Sequence, residues 1–395
     1  MHRRTFLLGA AGLTAGCFLP TRVTLAQTWP PEVLRYVRDY QEREYLRLAD
    51  ALNLKTAREA YEKVTNRQMP PDLEQRYRSS PLPTPYEDPF MYPVMSSVFN
   101  LMSRENDALG AAALPRPFLA TLASGDVEAR MTQEPTTRTT IVFFEHGLFS
   151  YFYDVAKLMA WAAPPLTEAQ LTDDAALARI PRKYTMPFTA SQNFVASLYT
   201  YAASGSPVGT SSPIPEPEHN LGLSIRLLNH MERFVMAHEL AHIRERHADR
   251  PQSPALEYEA DSLAVSLVAT LADIHHGSWA VGYWACELAL VALNLLYRGI
   301  GLNTYGGDPL TWISLTHPEP LSRRENLRGI WLNPRSPKSG VEAAREMSGM
   351  MEAVFSRLFE LALPVFLLNH QRGQRASPRW RKTAANWRAA GPAKQ

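Results

Sequence analysis

Apolar positions recur every three to four residues along most of this chain, and the stretches that break the rhythm are few. Residues 30–66 carry Glu, Arg, Leu and Ala at helical spacing until Pro70-Pro71 and the prolines of 81–89 end the pattern. Residues 94–110 predict a second helix. The period then changes. Residues 118–122 read as a short strand, Ser124-Gly125-Asp126 as a turn and 127–131 as a returning segment. Residues 139–144, Thr-Thr-Ile-Val-Phe-Phe, are β-branched or aromatic throughout and make the strongest strand in the chain. Together these predict a small antiparallel sheet. Helical spacing resumes over 149–163 and 186–202. It lapses over 204–220, where Pro213, Pro215 and Pro217 stand among Gly and Ser, and holds again from Leu221 to about Ile300. Within that run residues 279–297 are nearly all apolar. Their length permits a membrane span, but Glu287, Asn294 and Gly282 favour a helix buried on all sides within a bundle. The expected fold class is α+β and mostly helical.

Composition agrees with a globular body: 395 residues, 45% apolar and 20% charged. No internal repeat is visible. The net charge of +2 conceals two basic ends. Residues 1–26 hold three Lys or Arg and residues 371–395 hold seven, with no acid in either. Taking those ten from the 41 basic residues leaves 31 against 39 acidic ones, so the body is net acidic. That argues against nucleic acid as a partner. The basic end from 371 reads as a flexible, solvated tail, with contact to anionic lipid as the rival reading. At the other end, His2, Arg3 and Arg4 precede an apolar stretch over 6–18, the layout of a targeting segment. Arg3-Arg4-Thr5-Phe6-Leu7 resembles the twin-arginine export motif, with an ordinary secretory signal as the alternative. Leu13-Thr14-Ala15-Gly16-Cys17 resembles a lipobox, which would acylate Cys17 and anchor the protein to a membrane. Cleavage after Ala26 is the other reading. Either places the mature protein in the periplasm or cell envelope. With Cys17 in that segment, Cys286 has no partner for a disulfide.

The chemistry lies in His238-Glu239-Leu240-Ala241-His242. On a helix, His238 and His242 differ by about 40° in azimuth and about 6 Å in rise, so both rings reach one metal ion. Glu239 lies about 100° round, at the edge of that face, where it can hydrogen-bond a water without ligating the metal. The H-E-x-x-H spacing thus divides labour between two ligands and a general base. Phe234 to Ala237 before it, with Leu240, Ala241 and Ile243 in and after it, suit a buried helix. Arg244 departs from the stricter motif, where an apolar residue is usual. His247, nine residues after His238, falls half a turn off the metal face if the helix continues, and reads as a polar residue near a helix end. His146 reads as a strand-end residue, with a place facing the cleft as the alternative.

Glu257-Tyr258-Glu259-Ala260-Asp261 follows. Here the sequence resembles the gluzincins, whose third zinc ligand comes from E-x-x-x-D on the next helix. It is most similar to the prenyl-protein and heat-shock membrane endopeptidases and their soluble periplasmic relatives. The resemblance covers residues 230–330 and implies a zincin-type helical core. It implies Glu257 as third Zn2+ ligand with His238 and His242, and Asp261 as the residue that orients a ligand imidazole. Helical geometry agrees, with Glu257 and Asp261 on one face and Glu259 turned away. For Glu257 to come level with His242, the first helix must stop near Arg246 or His247. Thr316-His317-Pro318, followed by Arg323 and Arg324, strengthens the likeness, since those families place a His-Pro and a downstream Arg after the third ligand. It implies His317 as a donor to the oxyanion, with a plain turn as the rival.

The expected organisation is a signal segment over 1–26, a helical N-terminal region over 27–117 and a zinc metallopeptidase core over 118–335. A C-terminal helix over 336–370 and the basic tail follow. The expected activity is hydrolysis of peptide bonds in a polypeptide substrate, with Glu239 and His317 catalytic. An exposed strand of the 118–145 sheet would fix the substrate backbone by strand addition. The rival is a metal-binding envelope lipoprotein with a binding or chaperone role and little or no turnover.

Overall fold

The computed structural model describes residues 29–52, 82–88, 91–122, 127–180, 184–185, 188–204, 214–215, 217–251, 253–307, 318–332 and 338–377. Cys17, the paired arginines, His317 and the basic end beyond Ser377 lie outside them.

Strands β1 (Phe118–Leu122), β2 (Ala129–Gln133) and β3 (Thr140–Glu145) form one sheet in the order β1-β3-β2. β2 and β3 make an antiparallel hairpin, whereas β1 and β2, the two segments expected to reverse on each other, are not neighbours, and Ser124-Gly125-Asp126 lies outside the described residues. Glu134 N–H donates to the Thr139 carbonyl at 2.9 Å, and Arg138 turns the chain at φ 59°. β1 pairs with β3 in parallel, Phe118 opposite Ile141. The sheet is therefore mixed, not antiparallel as the sequence led us to expect. β2 lies on the far side of β3 from β1 and runs against both, so β3 returns between them in the direction of β1. Side-chain alternation reports which face a residue takes and carries nothing about which strand lies alongside.

Both faces of β1 and β3 are buried, which accounts for apolar residues at consecutive positions in each. Phe118, Ala120, Leu122, Ile141 and Phe143 meet Val33 and Val37 of helix α1 (Pro31–Leu52), and Tyr40 stacks on Phe143 at 4.5 Å. Leu119, Val142 and Phe144 face the larger core. That core is built by α2 (Met91–Ala108), α3 (His146–Ala162), α4 (Phe188–Ser204), α5 (Leu221–Arg244), α6 (Pro254–His276), α7 (Trp279–Tyr305), α8 (Pro320–Trp331) and α9 (Lys338–Gln371). α3 starts directly at the end of β3, three residues before the sequence pattern suggested.

α7 runs through the middle and packs on α4, α5, α6, α8 and α9. It is long and apolar enough to cross a membrane, yet 94% of its most apolar stretch is buried inside the protein. It is apolar all round because helices surround it. Gly282 lets it approach α6: a Cβ there would lie 2.6 Å from that of Ala272. Its one buried acid, Glu287, is fully partnered. It accepts from Tyr283 Oη at 2.7 Å, from Arg328 Nε and Nη2 at 2.9 Å each, and from Ser348 Oγ at 2.7 Å. A buried carboxylate with this many donors is held firmly, and here it ties α8 and α9 to α7. After α9, residues 372–377 fold back on α4: Gln374 accepts from Tyr199 at 2.7 Å, and Ser377 N–H donates to Ala202 at 3.2 Å.

Candidate metal centre

The H-E-x-x-H motif occupies the last two turns of α5, which stops at Arg244. Glu245 N–H still bonds to Ala241, but Arg246 takes a left-handed conformation (φ 52°, ψ 43°) and turns the chain. A short turn over His247–Asp249 follows, and α6 opens with Pro254 at its first position, where the missing N–H costs nothing. The first helix thus ends two to three residues before the expected stop near Arg246 or His247. α6 then runs back beside α5, with Glu257 level with both histidines and Asp261 level with His238.

His238, His242 and Glu257 form a group that can hold a metal ion, their ligand atoms all within 4.8 Å of one another. The spacing can be tested against a real coordination sphere. Three donors at about 2.0–2.1 Å from a tetrahedral centre lie about 3.4 Å apart. Here the two Nε2 atoms are 3.0 Å apart, and the Glu257 carboxylate lies 3.4 Å from His238 Nε2 and 3.5 Å from His242 Nε2. The two imidazoles approach different oxygens of the carboxylate, His238 nearest Oε2 and His242 nearest Oε1, so the three side chains converge closely enough to share one ion. Glu239 is half-buried beside the group and is not one of the three donors.

Asp261 is completely buried and sits 2.9 Å from His238 Nδ1. Arg323 of α8 grips it with a two-pronged fork, Nε to Oδ2 and Nη2 to Oδ1, both at 2.6 Å, and reaches Glu257 at 3.5 Å. Arg324, its neighbour, turns outward to Glu325 and Glu352.

Without a metal the two rings share a proton. Burial opposes charge on His238, but hydrogen bonds to Asp261 and Glu257 outweigh it and push its pKa up to about 9. Burial, reinforced by the charge on His238, pushes His242 down to about 3. His238 therefore carries the proton in the Nε2–Nε2 contact, and His242 accepts it. Burial also raises the Glu239 carboxyl. The His238 charge counters this and the Glu257 charge adds to it.

Three residues near the centre escaped the sequence. His247 is buried behind His242, with the two Nδ1 atoms 2.8 Å apart, and its Nε2 meets Glu259 at 3.3 Å. Glu259 stays out of the ligand group as expected, but it has this separate partner. Glu128, just before β2, and Tyr297 of α7 lie within electrostatic reach. Glu128 acts on Glu239, and burial, then Glu128, pushes the Tyr297 phenol up to about 12. No motif marks either one. His146 is not at the centre: it opens α3 and pairs with Asp88 at 2.6 Å. Comparison of the chain with protein families, curated proteins and solved structures finds no match.

Proposed function

We propose that this protein is a zinc-dependent peptidase that works in the bacterial cell envelope. The observation that carries the reading is the division of labour on α5 and α6. Three donor side chains converge closely enough to hold one ion while the carboxylate between the two histidines in sequence stands beside them. Two imidazoles and one carboxylate make three protein donors, the set of a catalytic zinc site rather than the four of a closed structural one. Zinc held there would polarise a carbonyl and bring the pKa of a water to about 7.

Glu239 would take a proton from the attacking water as its oxygen bonds to the amide carbon. It would deliver that proton to the leaving nitrogen as the C–N bond breaks. Its raised pKa suits both halves of the transfer. Asp261 and Arg323 would keep His238 in the orientation and tautomer that present Nε2. His317, on the resemblance already described, would donate to the oxyanion. β2 is half-exposed, pairs on one side only among the described residues and packs on α5. An extended substrate would add to its outer edge. The test is Glu239→Gln, assayed on an unfolded protein substrate alongside its zinc content. We expect full zinc and a rate lowered by about 10²–10⁴. Loss of zinc, or normal cleavage, contradicts the role.

A further inference from the structure

Both ligand histidines are backed on their far nitrogens, but by different chains. His238 Nδ1 meets Asp261 directly, and that line ends on half-buried Arg323. His242 Nδ1 meets His247 Nδ1 at 2.8 Å, His247 Nε2 meets Glu259 Oε2 at 3.3 Å, and Glu259 accepts from Arg250 Nη1 at 2.8 Å. This second line leads from a buried ring to the surface, where Arg250 and Glu259 are 46% and 39% exposed.

The direction of the protons follows from the acceptor at the end. Two ring nitrogens 2.8 Å apart share one proton: with none their lone pairs repel, and with two their hydrogens collide. His247 Nε2 makes no formed hydrogen bond, but the nearest polar group is the Glu259 carboxylate at 3.3 Å, an acceptor only, which favours the proton of His247 on Nε2. His247 Nδ1 is then a bare acceptor, and His242 must carry its own proton on Nδ1. That leaves the His242 Nε2 lone pair facing the centre. The opposite arrangement would put a lone pair of His247 against the carboxylate and a proton on the nitrogen that has to bind metal. Arg250 completes the line, and its hydrogen bond, ahead of its charge, holds the Glu259 carboxyl below its ordinary range.

We propose that His247 is a positioning residue of the metal centre, which with Glu259 fixes His242 in the tautomer whose Nε2 binds the ion. The inference rests on the zinc-site reading above. It is independent of that reading's carboxylate and base, because His247 touches neither Glu239 nor the ion's donors except through the far side of His242. A ligand imidazole backed by a histidine–carboxylate pair gains basicity and loses rotational freedom, and removing such support costs about 10–100-fold in metal affinity. Because the line reaches solvent, its outer member can be changed without disturbing the core.

The experiment is a zinc competition titration against a chromophoric chelator. It uses the wild type and the variants His247→Leu, His247→Asn and Glu259→Ala, each checked for cooperative unfolding in the metal-free state. Leu fills the buried volume and offers no acceptor. Asn is a poorer fit, but its Oδ1 can stand where Nδ1 stood. We expect His247→Leu to bind zinc about 10–100-fold more weakly, His247→Asn to recover most of that loss, and Glu259→Ala to lose about three-fold or more. If His247 only fills space, the order reverses and Leu keeps the affinity that Asn loses. A His247→Leu variant within about three-fold of wild type overturns the inference while the zinc site stands. Should His247→Leu fail to fold, unchanged affinity in Glu259→Ala overturns it equally. A wild type that binds no zinc overturns both this inference and the reading beneath it.

Discussion

Zinc binding must displace the proton that the two ring nitrogens share, and this sets how its affinity depends on pH. His238 has a pKa of about 9 in the metal-free protein because Asp261 and Glu257 outweigh its burial. Its imidazole must be neutral to bind metal. At pH 7 removing that proton costs about 2.7 kcal/mol, from two pH units at 1.36 kcal/mol each, so zinc binds about 100-fold more weakly than it would above pH 9. His238 is 8% exposed, so solvent does little to screen the effect. His242 adds nothing in this range, since its pKa of about 3 leaves it neutral throughout. Between about pH 6.5 and 8.5 the zinc Kd should therefore tighten close to ten-fold per pH unit. A chelator competition titration at three pH values, corrected for the chelator's own protonation, measures the slope. Asp261→Asn removes the charge that raises His238 and should flatten it. In metal-free protein the same shift stabilises the fold. The pKa is raised above its ordinary 6.5, so the contribution is fully present below pH 6.5 and is lost as pH rises through about 9. A zinc Kd that stays within about three-fold over that range would show that His238 is already neutral, and would refute the reasoning.

Removing Arg323 strands Asp261, which is completely buried, with His238 as its remaining partner at the centre. Breaking such a pair costs about 3–5 kcal/mol, so Arg323→Met should lower the thermal midpoint of the metal-free protein by about 4–6 °C. A shift under about 2 °C would mean the fork contributes little. At the other end of the chain, replacing both Arg3 and Arg4 by Lys should block export of a folded, metal-loaded protein, measured by fractionating cells. Undiminished export would point to an ordinary secretory signal.

The two helices that carry the centre were legible because their chemistry repeats at helical spacing. His238 and His242 are one turn apart, as are Glu257 and Asp261, and α7 is one long apolar run. Arg323 was visible only as a downstream arginine, and its grip on Asp261 depends on α8 being docked through Glu287 and Arg328. His247 was misplaced for a specific reason. Continuing α5 by rote puts it half a turn away, whereas the left-handed Arg246 bends the chain and returns it behind His242. A positive φ at a residue other than glycine is uncommon, and nothing in Arg246 itself announces it. The parallel pairing of β1 was hidden in the same way. Its alternation is satisfied on both faces, one by α1 and one by the bundle, so its pattern fits either neighbour.

The central claim is that His238, His242 and Glu257 hold one zinc ion. Metal analysis of the purified protein tests it most directly, with Glu257→Ala and Glu259→Ala measured beside the wild type at protein concentrations well above the Kd. The account predicts one zinc per chain in the wild type, none in Glu257→Ala, and retention in Glu259→Ala, whose weaker binding still saturates at those concentrations. A wild type with far less than one zinc per chain, or a Glu257→Ala protein that keeps its metal, would contradict it.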